Sequence, residues 1–256
     1  MSILGNELTT QTFQPFQAEQ EALQNIKIFN QNILEYRKCV IGEDYEEIFR
    51  LRYKSYHGND LIPSNSSGML FDKYDELSNA FHFAVYYGGN LVSTLRLHIV
   101  FSSKPVSPTY DLFRDVLEER VSRGETFVDP TRFAADPEWS ASLRFLPQVT
   151  LRLAVAACSY FNVTSCLTMV REEHAGFYKR YFHVDRIADP RAQPNALASC
   201  ALFGSRCDIN MIKTTQKYPV FRSTPLEQRQ LFAKPVGQVG VALNVIPQLE
   251  VELKQA

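Results

Sequence analysis

The sequence carries almost no net charge: 27 Lys and Arg stand against 28 Asp and Glu, a formal charge of −1. Generic nucleic-acid binding needs a concentrated basic surface, so that class is excluded. No apolar run approaches the roughly 18 to 20 residues of a membrane span. Cysteine is scarce: there are five (Cys39, Cys158, Cys166, Cys200, Cys207), an odd number with no CxxC pair. Met1 to Gln20 lacks the basic stretch and apolar run of a secretory signal. Together these features read as core thiols of a reduced, cytoplasmic protein. Several chemistries are also missing their marks. The chain has no GxSxG elbow, no GxxxxGK[ST] phosphate loop and no GxGxxG. Its five histidines show no HExxH spacing, and no His/Cys pairing suggests zinc, so no metal is expected.

What is present is a chain 45% hydrophobic and 12% aromatic, enough for a substantial core. Glu35 to Ile41 reads as a strand, and Asp44 to Tyr56 as an amphipathic helix carrying Tyr45, Ile48, Phe49, Arg52 and Tyr56 at helical spacing. The β-prone runs Phe81 to Tyr87 and Leu91 to Val100 flank Gly88-Gly89-Asn90, a β-hairpin pattern. A polar helix is expected over Asp111 to Arg120, and a strand over Glu125 to Phe133. Pro130 interrupts that strand and requires an edge or a bulge there. A nearly all-apolar helix follows from Pro147 to Tyr160, then a strand Ser165 to Val170, a helix Glu172 to Tyr181 and a strand His183 to Ile187. Ala196 to Phe203 could add another strand. The order implies an α/β fold with a mixed sheet, since a hairpin opens it and helical crossovers finish it. Residues 1–32 read as an N-terminal arm or extra helix, 33–212 as the core, and 213–256, rich in Gln and Pro, as an extension.

Charge is less even locally than in total. Residues 42–79 hold eight acids and four bases, whereas residues 143–191 hold seven bases and four acids. The basic surplus suits a docking face for an acidic partner; Arg144, Arg152, Arg171, Lys179 and Arg180 are its candidates. The charged residues beside β-elements suggest chemistry. Arg52 and Tyr56 share a helical face, Asp72 and Asp75 flank Tyr74, Arg96 sits in an apolar run, and Asp129 and Arg132 bracket Pro130.

In order, Arg52-x-x-Ser55-Tyr56, Asp72-Lys73-Tyr74-Asp75, Ser93-Thr94-Leu95-Arg96-Leu97 and Asp129-Pro130-Thr131-Arg132-Phe133 resemble the signature series of acyl-homoserine-lactone synthases. The nearer resemblance is to bacterial long-chain N-acyl amino acid synthases, in particular the N-acyl-tyrosine synthase group, carried by Gly124 to Trp139 and Val170 to Tyr178. It spans about Glu35 to Pro190 and implies a GNAT-type acyltransferase fold, with a central mixed twisted sheet flanked by helices. The lactone synthases usually carry Trp between the first two motifs and Glu in the last; here that Trp is absent and Asp129 replaces the Glu.

The resemblance implies transfer of a long-chain acyl group to the α-amine of an amino acid, tyrosine or another aromatic. The stretch Ala134-Ala135-Asp136-Pro137-Glu138-Trp139 stands where acetyl-CoA enzymes carry a glycine-rich pyrophosphate loop, and it holds two acids and no glycine. The expected donor is therefore the 4'-phosphopantetheine thioester of acyl carrier protein, with no permanently bound cofactor. Asp129 is the first candidate for general base, Arg132 orients it or helps hold the donor phosphate, and Tyr178 protonates the leaving thiolate. Arg96 either grips the substrate carboxylate or braces Asp72 and Asp75; Arg52, Tyr56, Asp72 and Asp75 form a charge network around the substrate. A lipidic product would permit peripheral membrane contact. Two other readings stay open: a lactone synthase using S-adenosylmethionine, and a non-catalytic module that binds acyl carrier protein.

Overall fold

Alternation along the hairpin strands sets the two faces of the sheet. The structure, a computed structural model, describes residues 34–40, 42–193, 196–233 and 244–247. It begins with β1 (Leu34–Lys38), helix α1 (Gly42–Gly58), and the hairpin β2 (Ala80–Tyr87) and β3 (Asn90–Val100). Gly88 and Gly89 both take positive φ (55° and 80°), the two-residue turn that matches the twist of paired strands. In β2, Phe83 and Val85 pack into the main core, while Ala84 and Tyr86 pack with Ile48 of α1 on the opposite face. In β3, Leu95, Leu97 and Ile99 join the main core, which leaves Arg96 and His98 on the face toward α1.

Helices α2 (Pro108–Leu112) and α3 (Arg114–Ser122) follow, then β4 (Phe127–Ala135), α4 (Pro137–Ser142), α5 (Leu146–Phe161) and β5 (Ser165–Val170). The single polar helix expected over Asp111 to Arg120 is two helices. Ser107 caps the first by accepting from the Tyr110 amide, with Pro108 in its first turn, and the chain breaks at Phe113. After β5 come a 3-10 turn (Glu172–His174), α6 (Ala175–Phe182), β6 (Asp185–Ala192), β7 (Ser199–Arg206), α7 (Ile212–Lys217), α8 (Pro225–Phe232) and β8 (Asn244–Val245). The eight strands form one sheet in the order β6-β7-β5-β4-β3-β2-β1-β8. Every pairing is antiparallel except β4 with β5.

That parallel pair is short and it positions the site. β4 meets β5 only at Phe127 with Ser165 and Val128 with Cys166. Beyond Val128 the strands diverge: β4 stays on β3 through Ala135, while β5 stays on β7 through Val170. Pro130 lies where the separation starts, and its missing N–H denies β5 a donor. Pro130 itself pairs in register with Leu97, so the bulge is two residues later. There the register shifts between Thr94 and Arg96, and Arg132 takes φ +53°, a left-handed conformation costly for a side-chain-bearing residue.

The nearly all-apolar α5 covers the main-core face, with eleven of its residues buried. The segment beginning at 213, expected as an extension, is in its described part integral to this core. Phe232 of α8 packs on Phe81, Phe83 and Phe161, and Leu231, Phe221 and Val220 are buried beside it. Arg152 of α5 pairs with Glu227 of α8, both buried, and donates to the Arg222 carbonyl (2.5 Å). The extension thus supplies the counter-charge for a guanidinium in the middle of the core helix. The expected arm, residues 1–32, lies outside the described residues. No helix among the described residues is long and apolar enough to cross a membrane.

Candidate active site

A cavity of about 580 Å³ fills the gap between the diverging strands. Pro130 to Phe133 of β4 form one wall and Leu167 to Val170 of β5 the other. Leu151 of α5, Tyr56 of α1 and Tyr178 of α6 also line it. A smaller void, about 20 Å³, lies behind Tyr178 and shares Pro130, Leu151, Thr168 and Tyr178 with the main cavity. Its remaining lining, mainly Ala154, Val155, Phe182 and Met211, is apolar.

Beside the bulge, three guanidinia and two carboxylates interlock. Arg52, fully buried, donates to Asp75 at 2.7 Å. Arg96 contacts the same Asp75 oxygen at 2.8 Å, donates to both oxygens of Asp72 (2.7 and 3.3 Å), and donates its Nε to Thr131 (3.0 Å). Arg132 reaches Asp72 through Nε (3.2 Å) and Nη2 (2.7 Å), with its guanidinium carbon 5.7 Å from the centre of the Tyr56 ring. Burial pushes the Asp72 carboxyl up, but hydrogen bonds and charge from Arg96 and Arg132 more than reverse this and hold it well below the usual range. His82 donates Nε2 to the Asp75 carbonyl (2.9 Å) and accepts from Arg52 at Nδ1 (3.2 Å). Burial, followed by the charge of Arg52, pushes its pKa down to about 4, so it is neutral near pH 7. With His82 neutral, three cations face two anions, and the surplus positive charge borders the cavity through Arg96 and Arg132.

The structure revises several expected roles. Every nitrogen of the Arg96 guanidinium is engaged within the lattice, so of its two expected roles it braces the aspartates. Asp129 is fully buried and is not on the cavity wall. It pairs across from His98, on the face toward the helices. Its carboxylate accepts from the Thr109 hydroxyl (2.6 Å) and amide (3.2 Å) in the first turn of α2. Burial raises its pKa against the lowering effect of those bonds and of one from Ser107. Asp129 therefore anchors α2, and with it Pro108 on the cavity wall, and does not reach the cavity as a base. Arg152, expected at a docking face, is buried against Glu227 and cannot dock anything. Arg171, expected at the same face, lines the cavity. Arg144, Lys179 and Arg180 are exposed. The basic surplus of residues 143–191 is also partly spent internally, since Arg186 pairs with Glu172 and Arg191 with Asp115.

Tyr178 does line the cavity, and burial raises its pKa, which keeps the phenol protonated and able to donate. His174, at the end of the 3-10 turn after β5, lines the cavity and was given no role in the sequence reading, as were other lining residues such as Asn59 and Gln193. The available signal was its spacing, four residues before Tyr178 on the same helical face. Among the described residues no cluster of His, Cys, Asp and Glu has the arrangement of a metal site.

At the mouth of the cavity, Asp136 accepts from the Glu138 amide and caps α4 (2.8 Å). Asp136 and Glu138 share a single cation, Lys54, at 3.0 and 2.9 Å. Pro137 and Ser140 of this segment line the cavity.

The fold is shared with solved acyltransferase structures. An N-acyl amino acid synthase, FeeM, from uncultured soil microbes matches with a TM-score of 0.59 at 12% identity, over 69% of this chain and 93% of that one. The acyl-homoserine-lactone synthase LasI matches with a TM-score of 0.55 at 15% identity, over 71% and 93%. A CoA-dependent lactone synthase, BjaI, solved with SAM and isopentyl-CoA, matches with a TM-score of 0.52 at 15% identity, over 72% and 88%. No curated protein gives a significant match. The model of the family described as N-acyl amino acid synthase FeeM matches residues 47–205. That span holds all four charged motifs, the diverging strands and Tyr178, and the chain belongs to the FeeM family of N-acyl amino acid synthases.

Proposed function

We propose that this N-acyltransferase moves a long-chain acyl group from the phosphopantetheine thioester of acyl carrier protein to the α-amine of tyrosine or another aromatic amino acid. The observation that carries the reading is the gap between β4 and β5, with Arg132 and the bulge on one side and the protonated Tyr178 on the other. Beyond Val128, no strand among the described residues pairs with β4 on its β5 side. A pantetheine arm, which is extended and bears amides, can add there as a pseudo-strand. Its thioester then lies between the bulge and Tyr178. Backbone N–H groups of the bulge and the surplus charge of the Arg52-Arg96-Arg132 lattice favour the oxyanion that forms when the amine attacks. Tyr178 gives its proton to the departing thiolate and regains one from the nitrogen of the new amide. The acyl chain lies in the main cavity of about 580 Å³ along the apolar wall past Leu151, and the 20 Å³ void behind Tyr178 has room for no more than its tip.

Carrier protein is preferred over coenzyme A because a free pyrophosphate at the cavity mouth would meet Asp136 and Glu138 with only Lys54 between them. Carrier protein presents no pyrophosphate, and Arg144, Lys179 and Arg180 offer its acidic surface exposed cations. The test is mass spectrometry of purified protein incubated with long-chain acyl carrier protein and each of the twenty amino acids. An N-acyl aromatic amino acid is expected; no N-acyl product from any of the twenty would overturn the reading. Acyl-CoA of the same chain length is expected to react at least about tenfold more slowly.

A further inference from the structure

Asp129 is directed away from the cavity and Asp72 is held in the lattice, and among the described residues no Asp or Glu lines the cavity to deprotonate the incoming amine. The cavity does contain one imidazole, that of His174, and it has a specific partner. Arg171 Nη2 lies 2.9 Å from His174 Nε2. A guanidinium has only donors, so Nε2 accepts, and His174 is the neutral tautomer with its proton on Nδ1. Arg171 is steadied in turn by Glu173 at 2.9 Å. The cavity wall therefore presents a fixed cationic donor beside a neutral acceptor.

An α-amino acid is the complement of that pair, with a carboxylate that only accepts and an ammonium that only donates. We infer that Arg171 and His174 read the zwitterionic head group of the acceptor and that His174 is the general base; this rests on the proposed N-acyl transfer. The carboxylate takes the N–H groups of Arg171, and the ammonium replaces Arg171 as the donor to Nε2, so the bond that opens is replaced on both sides. Nε2 takes one ammonium proton and, because His174 is exposed, passes it to water. The neutral amine forms the C–N bond at the thioester carbon, and the C–S bond breaks as the oxyanion collapses. The second nitrogen proton replaces the one that Tyr178 gives to the thiolate. His174 and Tyr178 lie four residues apart across the 3-10 turn and α6, which puts base and acid on one helical face. The titratable and charged groups around it are Arg171 and Glu173 beside it, Tyr178 one turn on, Cys200 of β7, and Tyr56, Arg96 and Arg132 on other walls of the cavity.

The experiment compares His174→Gln and Arg171→Ala with the wild type, using long-chain acyl carrier protein and three nucleophiles. These are tyrosine, tyramine (the same amine without the carboxylate) and the α-aminooxy analogue of tyrosine, whose nitrogen is already neutral at assay pH. His174→Gln is expected to lower kcat/KM for tyrosine by about 10²-fold or more and to remove the rising limb of the pH–rate profile. The aminooxy acid should lose less than about tenfold, because it needs no base. Arg171→Ala is expected to raise KM for tyrosine about tenfold and leave tyramine unaffected. Equal losses with tyrosine and the aminooxy acid, or a pH limb that survives in His174→Gln, would overturn the base. An Arg171→Ala effect on tyramine as large as that on tyrosine would overturn the carboxylate contact. Wild type that acylates none of the twenty amino acids removes the N-acyl reading and this inference together; active wild type with unimpaired variants removes only the inference. Thermal midpoints within about 2 °C of wild type serve as the fold control.

Discussion

The guanidinium lattice gives the sharpest prediction, because its two aspartates sit in different surroundings. The Asp75 side chain is 4% exposed and faces Arg52 (0%) and Arg96 (1%), whereas that of Asp72 is 23% exposed. Replacing Asp75 with Asn leaves three buried or half-buried guanidinia against one carboxylate. Removing one partner of a buried pair costs about 3–5 kcal/mol, because the other charge stays in place without compensation. For a chain of this size each kcal/mol is worth about 2–4 °C, so the melting temperature of Asp75→Asn should fall by about 6–20 °C. Asp72→Asn should melt closer to wild type, because water reaches that site. Its turnover should fall on the order of 10²-fold, since it releases Arg132 from its anchor beside the bulge. The Asp75 carboxyl is lowered in the folded state by Arg52 and Arg96, against burial. A carboxyl depressed on folding stabilises above its unfolded pKa and loses that contribution as pH falls toward the folded value. The gap between wild type and Asp75→Asn should thus be complete above about pH 4 and narrow below it. Thermal and urea unfolding at a series of pH values read all of this. A drop under about 3 °C at pH 7, or a gap that widens in acid, would refute the reasoning.

Other outcomes follow from the same geometry. Tyr178→Phe should lower kcat about tenfold or more with little change in the KM for the acyl donor, read by steady-state kinetics at several pH values. Glu227→Leu should cost about 3–5 kcal/mol in urea unfolding, and adding Arg152→Met should recover most of it, because the lone buried charge is then gone. Met211→Ala should enlarge the void behind Tyr178 and shift the preferred acyl chain toward greater length, measured by competition among acyl carrier proteins of different chain length.

Much of the architecture was legible because it rests on local pattern. The hairpin over β2 and β3 was visible in two β-prone runs around a glycine pair, and α5 in its nearly unbroken apolar stretch. Residues of the four charged motifs meet in the lattice of Arg52, Asp72, Asp75, Arg96 and Arg132, with Asp129 of the last motif outside it. The direction of a side chain was less legible, because it depends on register with a strand far away in sequence. Asp129 stands opposite His98 and so points toward α2, whatever its motif suggested. The same holds for Arg152, whose partner lies 75 residues on in a segment that composition alone marked as peripheral. His174 fell between the two cases. Its spacing from Tyr178 was readable, but its place in the cavity depends on the divergence of β5 from β4, which no local pattern encodes.

The bond between α5 and α8 also has a consequence for how the chain acquires its structure during synthesis. Arg152 emerges from the ribosome long before Glu227, and until then the most apolar helix of the protein carries an unanswered guanidinium. A nascent chain ending before Pro225 holds β1 to β7, but it cannot bury the middle of α5 without leaving that charge uncompensated. Commitment of the core is thereby deferred to the arrival of α8, and partial products remain loose enough for proteases to find them. In a length series of arrested nascent chains, protection of α5 from proteolysis should appear abruptly once Glu227 has cleared the exit tunnel.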